Sequence, residues 1–477
     1  MIASIAWKNV WRNKTRSFTV ITAVTIGVFA GIFSMAAINS SVVQRIDSAV
    51  NEELSHIQIN NKDFRNSADI QNLIQDPALI FSVLDSTKGV SGYTGRIILR
   101  GMAASSAKST GVEIVGVDVA KEKQIFTLAN KLIPGTGSYL EEDKKTKYNT
   151  VYIGEKLAKE LNVIRYILTE ESVNKLKSEG VPEKILSEIK PLIGIRFTSD
   201  KKFKAASGNL LSARQRNMYG LKIQEAAWSY REGSKIRLTF LDINNNQTGG
   251  NFRVCGIFRT NNDMFEELSL FVPIEELRTL TGIPEGGFHR IIARLDDNDL
   301  TNKVTPQIRE SLPQYEVMNW KEIQPDLAMI VDFINLIYSI FMVIILAALA
   351  FGIVNTMLMA VLERTRELGM LAAIGMNRYR IFTMIMLESI FLSIVGGIAG
   401  MVLSEVVILI TSRTGINLVK YSDGMEAMGY SAHLYPTIDT QFFIITTILI
   451  VLTGVISSIY PARKALSLNP VEAIRGE

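Results

Sequence analysis

Side chains suited to chemistry are few and scattered in this 477-residue sequence. There is one cysteine, Cys255, so no disulfide can form within the chain. Its setting in a β-branched run makes it a small buried hydrophobe. The histidines His56, His289 and His433 lie far apart, without metal-ligand spacing, and read as structural. There is no G-x-S-x-G elbow, no H-E-x-x-H pair and no G-x-x-x-x-G-K-[ST] phosphate loop. The expectation is a chain with no catalytic residues, no metal and no cofactor of its own. If ATP drives it, another chain must bind the nucleotide. The notable charges are instead those beside or inside long apolar runs: Glu363, Arg364, Arg366, Glu367 and Glu388.

The elements that hold these charges follow from composition. Hydrophobic residues make up 47% and charged residues 21%. This is too polar for a many-span channel and too apolar in places for a soluble enzyme. A net charge of +4 over this length makes no case for nucleic acid. A helix needs about 20 apolar residues to cross a bilayer, and four stretches qualify: 18–38, 329–362, 381–410 and 442–460. Lys8, Arg12, Lys14 and Arg16 precede the first, Arg364, Arg366, Arg378 and Arg380 lie between the second and third, and Arg463, Lys464 and Arg475 follow the fourth. Basic residues favour the cytoplasmic side. Both ends are therefore expected in the cytoplasm, with 39–328 and the loop 411–441 outside. Residues 1–17 read as a cytoplasmic amphipathic helix with Ala3, Trp7, Val10 and Trp11 on its apolar face. Residues 461–477 read as a cytoplasmic tail. The first span is longer than the apolar core of a signal peptide, and helical spacing continues through Val42, Ile46, Val50 and Leu54.

The segment 39–328 reads as α+β, with strands rich in β-branched residues between turn formers. Asp242 to Gly250 (DINNNQTGG) reads as a hairpin loop. Thr169 suits the capped start of a short helix. From Lys201 to Lys222 there are six basic residues and no acid. Such a run reads either as a docking surface for an acidic partner or lipid headgroups, or as a solvated or mobile loop.

After the second span comes Glu363 to Gly375 (ERTRELGMLAAIG), charged at one end and apolar at the other. Physically it is a handle, with charges for a soluble partner and apolar residues to hold the membrane. Gly396, Gly397 and Gly400 in the third span allow close helix approach. Glu405, near the end of that span, reads as a surface acid. At the end of the chain Asn469, Pro470 and Glu472 make a well-formed helix start. Together the R-E-L-G-x-L-x-A-I-G and N-P-V-E-A-I-R motifs resemble the FtsX-like permease superfamily of ABC transporters, the type that includes MacB and LolC/LolE. The start Ala6 to Lys14 (AWKNVWRNK) and Ser55 to Ile59 (SHIQI) resemble the lipoprotein-releasing branch most.

The resemblance implies a MacB-like periplasmic core domain between spans one and two of a multi-pass inner-membrane protein. It implies that 363–376 is the coupling helix that docks on a cytoplasmic ATPase dimer, which binds ATP and magnesium. Glu363, Arg364, Arg366 and Glu367 would be at the contact, and Leu368, Gly369, Leu371 and Gly375 belong to the same signature. Glu388 matches the acid that the family places early in span three, and it must find a donor, for which the coupling segment is the candidate. Against the family pattern, 164–230 is an insertion.

Such permeases work as mechanical transmitters, and a helix from Glu322 to Leu362 would reach about 60 Å. Spans one and two of paired permeases, identical or homologous, would enclose a lipid-accepting cavity lined by Phe29, Phe33, Met35, Ile334, Ile337, Tyr338 and Phe341. The expected function is release of lipoproteins from the inner membrane, with an amphiphilic substrate, membrane lipid and a periplasmic carrier as further partners. MacB-like export of peptides or small molecules and FtsX-like control of wall hydrolases are the alternatives.

Overall fold

The computed structural model describes residues 2–67, 69–140, 149–231, 233–427, 429–438 and 440–466. The tail motif at Asn469, Pro470 and Glu472, and Arg475, lie outside the described residues. The chain divides into two compact units. One holds Met1–Arg45, Pro325–Ser422 and Ser431–Glu477, and the other Ile46–Gln324 with Asp423–Tyr430.

In the first unit, a short helix Ile2–Arg12 leads into the long first helix Lys14–Ser48, which a π-helical turn, Ala49–Leu54, extends. The second long helix is Pro325–Glu363, the third Arg378–Thr414 and the fourth Thr440–Leu466. These four are long and apolar enough to cross a membrane, so the chain is a membrane protein with four transmembrane helices. The fourth continues past residue 460 and through Pro461 to Leu466, taking in the start of the segment expected as a tail. A linker helix, Thr365–Ala373, joins the second to the third, which Asn377 caps by accepting from Tyr379 N.

Small residues set the spacing of these helices, because a missing side chain lets backbones approach. A Cβ on Gly396 would lie 2.7 Å from Val24 Cβ, and one on Gly400 would lie 2.8 Å from Thr25 O. Thr25 Oγ1 also donates to Gly396 O over 3.1 Å. Gly397 faces Ile450 of the fourth helix instead. Gly27 and Gly31, not singled out in the sequence, seat Leu349 and Ile345 of the second helix on the first. Glu405 is exposed, as a surface acid should be.

The second unit is an α+β domain. Its strands are β1 (Ile57–Asn60), β2 (Val90–Ala104), β3 (Ser109–Val117), β4 (Asn149–Gly154), β5 (Ile164–Tyr166), β6 (Trp228–Tyr230), β7 (Lys235–Leu241), β8 (Gln247–Phe258), β9 (Ser269–Pro273), β10 (Arg290–Leu295) and β11 (Glu316–Asn319). Nine of them form one sheet in the order β11-β1-β10-β2-β3-β9-β4-β8-β7, and β7 also pairs back onto β2. The length of β2 allows this, since Arg290–Leu295 pair with its first half and Arg237–Thr239 with its end. At Gly101 a Cβ would lie 2.5 Å from Thr239 O, so the return needs a residue without one. The β7–β8 hairpin turns through 242–246, inside the loop read from composition.

Residues 164–230 form a lobe with a core of their own, including Tyr166, Leu168, Leu176, Ile189, Phe203 and Ile223. The pair β5–β6 closes its base, with Ile164 opposite Tyr230. The basic run is not a loop: it lies on two helices, Asp200–Leu210 and Ala213–Ala227. Phe203, Ile223 and Ala227 are buried beneath them. Ser212 and Gln215 form a reciprocal capping box at the start of the second.

The histidines described in the core have structural bonds. His289 Nδ1 accepts from Ile98 N over 3.1 Å and its Nε2 meets Ile70 O at 2.9 Å, while His56 Nδ1 accepts from Leu295 N over 3.2 Å. Burial lowers both to a pKa of about 4.

Candidate functional site

Of the charged residues noted at 363–388, Arg364, Glu367 and Glu388 converge within the membrane-helix unit. Glu388 lies 5% exposed on the third helix, ten residues after its first residue, Arg378. A carboxylate there needs donors. Asn9 of the short N-terminal helix donates its Nδ2 to Glu388 Oε1 over 2.7 Å. Arg364 of the link brings its Nη1 to 3.6 Å from the same oxygen, and its Nη2 donates to the Asn9 carbonyl over 3.3 Å. Three chain segments therefore meet around one carboxylate. The donor expected from the coupling segment is Arg364, and Asn9 adds a second that the sequence reading missed.

A second pair reinforces the arrangement. Arg12 donates to Glu367 on the linker helix. That hydrogen bond and the guanidinium charge hold the Glu367 carboxyl below its usual range and raise Arg12. Both side chains are partly exposed, so the pair positions more than it stabilises. Between the N-terminal helix, the link and the third helix lies a cavity of about 320 Å³, polar at Asn9, Arg12, Arg364, Glu367 and Glu388 and otherwise mostly apolar.

Within this convergence the N-terminal helix has a buried side and an exposed side. Ala6 and Val10 are buried, whereas Trp7 and Trp11 are 42% and 44% exposed. Trp7 rests edge-on against Phe391 of the third helix, with ring centroids 5.4 Å apart. Asn9, between the two buried positions and the exposed tryptophans, faces Glu388. An asparagine amid the apolar positions Ala6 and Val10 was the available signal.

The linker helix has two sides. Leu368 and Gly369 are buried, Leu371 is half-buried and lines the cavity, and Arg364 turns inward. Glu363, Arg366, Met370 and Ile374 are exposed, Ile374 at 84%. Their spacing of three or four residues puts them along one side of a helix. Gly375, at φ +94, lets the chain turn into the third helix. Of the four charged residues expected at a partner's contact, Glu363 and Arg366 are exposed, and Arg364 and Glu367 pair with the third and N-terminal helices.

The aromatic and aliphatic residues expected to line a lipid cavity lie on the first and second long helices. Phe29 and Phe33 stack with centroids 5.7 Å apart. Met35, Ile334, Ile337 and Tyr338 are half-buried, and Phe341 is 57% exposed, beside Ile340 and Ile344 at 52% and 58%.

Residues 339–470 match the family model of the FtsX-like permease C-terminal domain. Among curated relatives, the uncharacterized ABC transporter permease MJ1507 of Methanocaldococcus jannaschii is 29% identical over 233 residues, 47% of this chain and 55% of that protein. The uncharacterized ABC transporter permease YknZ of Bacillus subtilis is 31% identical over 34% of this chain and 37% of its own. The macrolide export ATP-binding/permease protein MacB of Escherichia coli is 25% identical over 47% of this chain and 34% of its own. The chain thus spans about half or less of the length of these relatives. The solved periplasmic region of MacB from Actinobacillus actinomycetemcomitans aligns over 60% of this chain and 97% of its own at 14% identity, with a TM-score of 0.29, too low to define the fold. Residues 339–470 thus carry an FtsX-like permease domain, and the chain is similar to ABC transporter permeases of the MacB and YknZ type.

Proposed function

We propose that this permease chain converts ATP hydrolysis by a separate ABC ATPase dimer into motion outside the membrane. The observation that supports it best is the two-sided linker helix. Its inner side is tied to the N-terminal and third helices through Arg364, Glu367 and Leu368, and its outer side offers Glu363 and Arg366, with Met370 and Ile374 exposed at the rim of the cavity. A push on the outer side is then shared by the first, second and third transmembrane helices rather than bending a free loop. In this reading both ends of the chain are cytoplasmic, the membrane is the bacterial inner membrane, and Ile46–Gln324 works on the far side. Nucleotide and magnesium belong to the ATPase, and a second permease, identical or homologous, completes the pair.

Release of lipoproteins to a periplasmic carrier is the substrate-level reading, supported by the likeness of 6–14 and 55–59 to the LolC/LolE branch. Phe29, Phe33, Met35, Ile334, Ile337, Tyr338 and Phe341 would then meet the acyl chains. Export of a peptide or small molecule is the second reading, favoured by the relatives named for macrolide export. The docking half is tested by replacing Met370 and Ile374 together with aspartate and purifying the tagged permease from its native membranes. Loss of the co-purifying ATPase, with the permease still membrane-inserted, is expected. Full retention of the ATPase would overturn the assignment.

A further inference from the structure

The nine-stranded sheet has a face whose chemistry the permease role leaves unused. In β1, β10 and β2 alternate residues point to opposite sides. Ile57, Ile59, Ile291, Ile97 and Leu99 go into apolar cores. The opposite face carries Gln58, Asn60, Arg290 and Arg100, with Glu113 of β3 in register with Arg100. With Arg65 these residues line a recess of about 180 Å³.

The recess is not an ordinary solvated face. Gln58 and Asn60 are 1% and 2% exposed. Gln58 Nε2 donates to Leu54 O, and Asn60 Oδ1 accepts from Arg290 Nε over 3.2 Å. Arginine carries five N–H donors and stays charged. Among the described residues, the other donors of Arg290 reach no hydrogen-bond acceptor in the chain, and Arg100 has no ion pair. Arg65 lies 3.6 Å from Glu316, outside the recess lining. Three guanidinium groups therefore line the recess with one carboxylate, Glu113. A half-buried guanidinium whose only hydrogen-bond partner is a neutral amide, with Glu113 the one carboxylate lining the recess beside it, favours a further anion, and its planar fork fits oxygen pairs.

We infer that this recess binds a small oxyanion, a carboxylate or phosphate group, held between Arg290 and Arg100 with Asn60 orienting Arg290. The volume admits a group of several non-hydrogen atoms. Glu113, which acts on Arg290 across the recess, leaves its lining positive by two charges, counting Arg65.

The test is isothermal titration of the full-length chain in detergent with inorganic phosphate and with succinate, each against chloride at matched ionic strength. Saturable binding of at least one is expected, weakened at least tenfold in Arg100→Gln and in Arg290→Gln. It should be unchanged in Arg309→Gln, whose arginine bonds Val317 O and Glu322 instead. Tighter phosphate binding would identify a phosphate-bearing ligand, and tighter succinate binding a carboxylate-bearing one. Arg100 is exposed, so Arg100→Gln decides the matter if Arg290→Gln fails to fold. Binding of neither anion above chloride, or binding undiminished in Arg100→Gln, would overturn the inference.

Discussion

Asn9 and Glu388, 379 residues apart in the chain, share a 2.7 Å hydrogen bond, and Arg364 bonds to both residues. This small network makes the N-terminal helix, the linker and the third transmembrane helix one mechanical piece.

Breaking it by removing one charge should cost much more than replacing the pair. Glu388→Ala leaves the half-buried Arg364 without its nearest counter-charge, at a cost toward about 3 kcal/mol. Arg364→Met combined with Glu388→Leu should recover most of that loss. Asn9→Ala should cost about 1.5–3 kcal/mol, the range for a hydrogen bond to a charged group. Unfolding of the purified protein in detergent measures all three, and additive single and double effects would contradict the network.

The glycines of the third helix should differ in tolerance. Gly396→Leu and Gly400→Leu would drive side chains onto Ile21 O and Thr25 O, which cannot move aside, and each should cost about 1–3 kcal/mol or more. Gly397→Ala meets only Ile450 Cγ2 at 3.2 Å, the end of a side chain, and should melt near the parent. Equal melting temperatures for all three would contradict this packing.

The four membrane helices were legible because length and hydropathy define them locally. The partner of Glu388 was legible as a type, a donor on the link, because a buried carboxylate demands one. Asn9 and Arg12 were not, since their partners lie more than 350 residues away. The helices of the basic run were hidden by their charge, although Ser212 and Gln215 carried a capping signal. The full length of strand β2 was hidden by Gly92 and Gly101, which interrupt its β-branched pattern, although Gly101 makes room for Thr239 O.

The lobe at 164–230 should be removable. Tyr166 and Trp228 are paired across β5 and β6, so an Asn-Gly turn can join them in place of 167–227. The shortened chain should insert, retain its ATPase and melt close to the parent in circular dichroism. Failure to accumulate in the membrane would show that the lobe supports the rest of the domain.

His56 and His289 should stay neutral in the folded domain at pH 5.5, because burial has lowered both to about 4. Unfolded histidine titrates near 6.5. The unfolded chain therefore binds more protons between about 6.5 and 4, and their contribution is full above that window and lost as pH falls through it. Imidazole NMR signals that titrate near 6.5 in the folded protein would contradict this.

The docking face of the linker helix is tested most directly by thiol cross-linking from single cysteines at 363, 366, 370 and 374, with 364 and 368 as inward controls. The native Cys255 will not interfere, because burial pushes its thiol up to about 12. In the native complex, the account predicts cross-links to the ATPase from Arg366→Cys, Met370→Cys and Ile374→Cys, and none from Arg364→Cys or Leu368→Cys. Cross-links from the inward positions, or from no position on the linker, would contradict it.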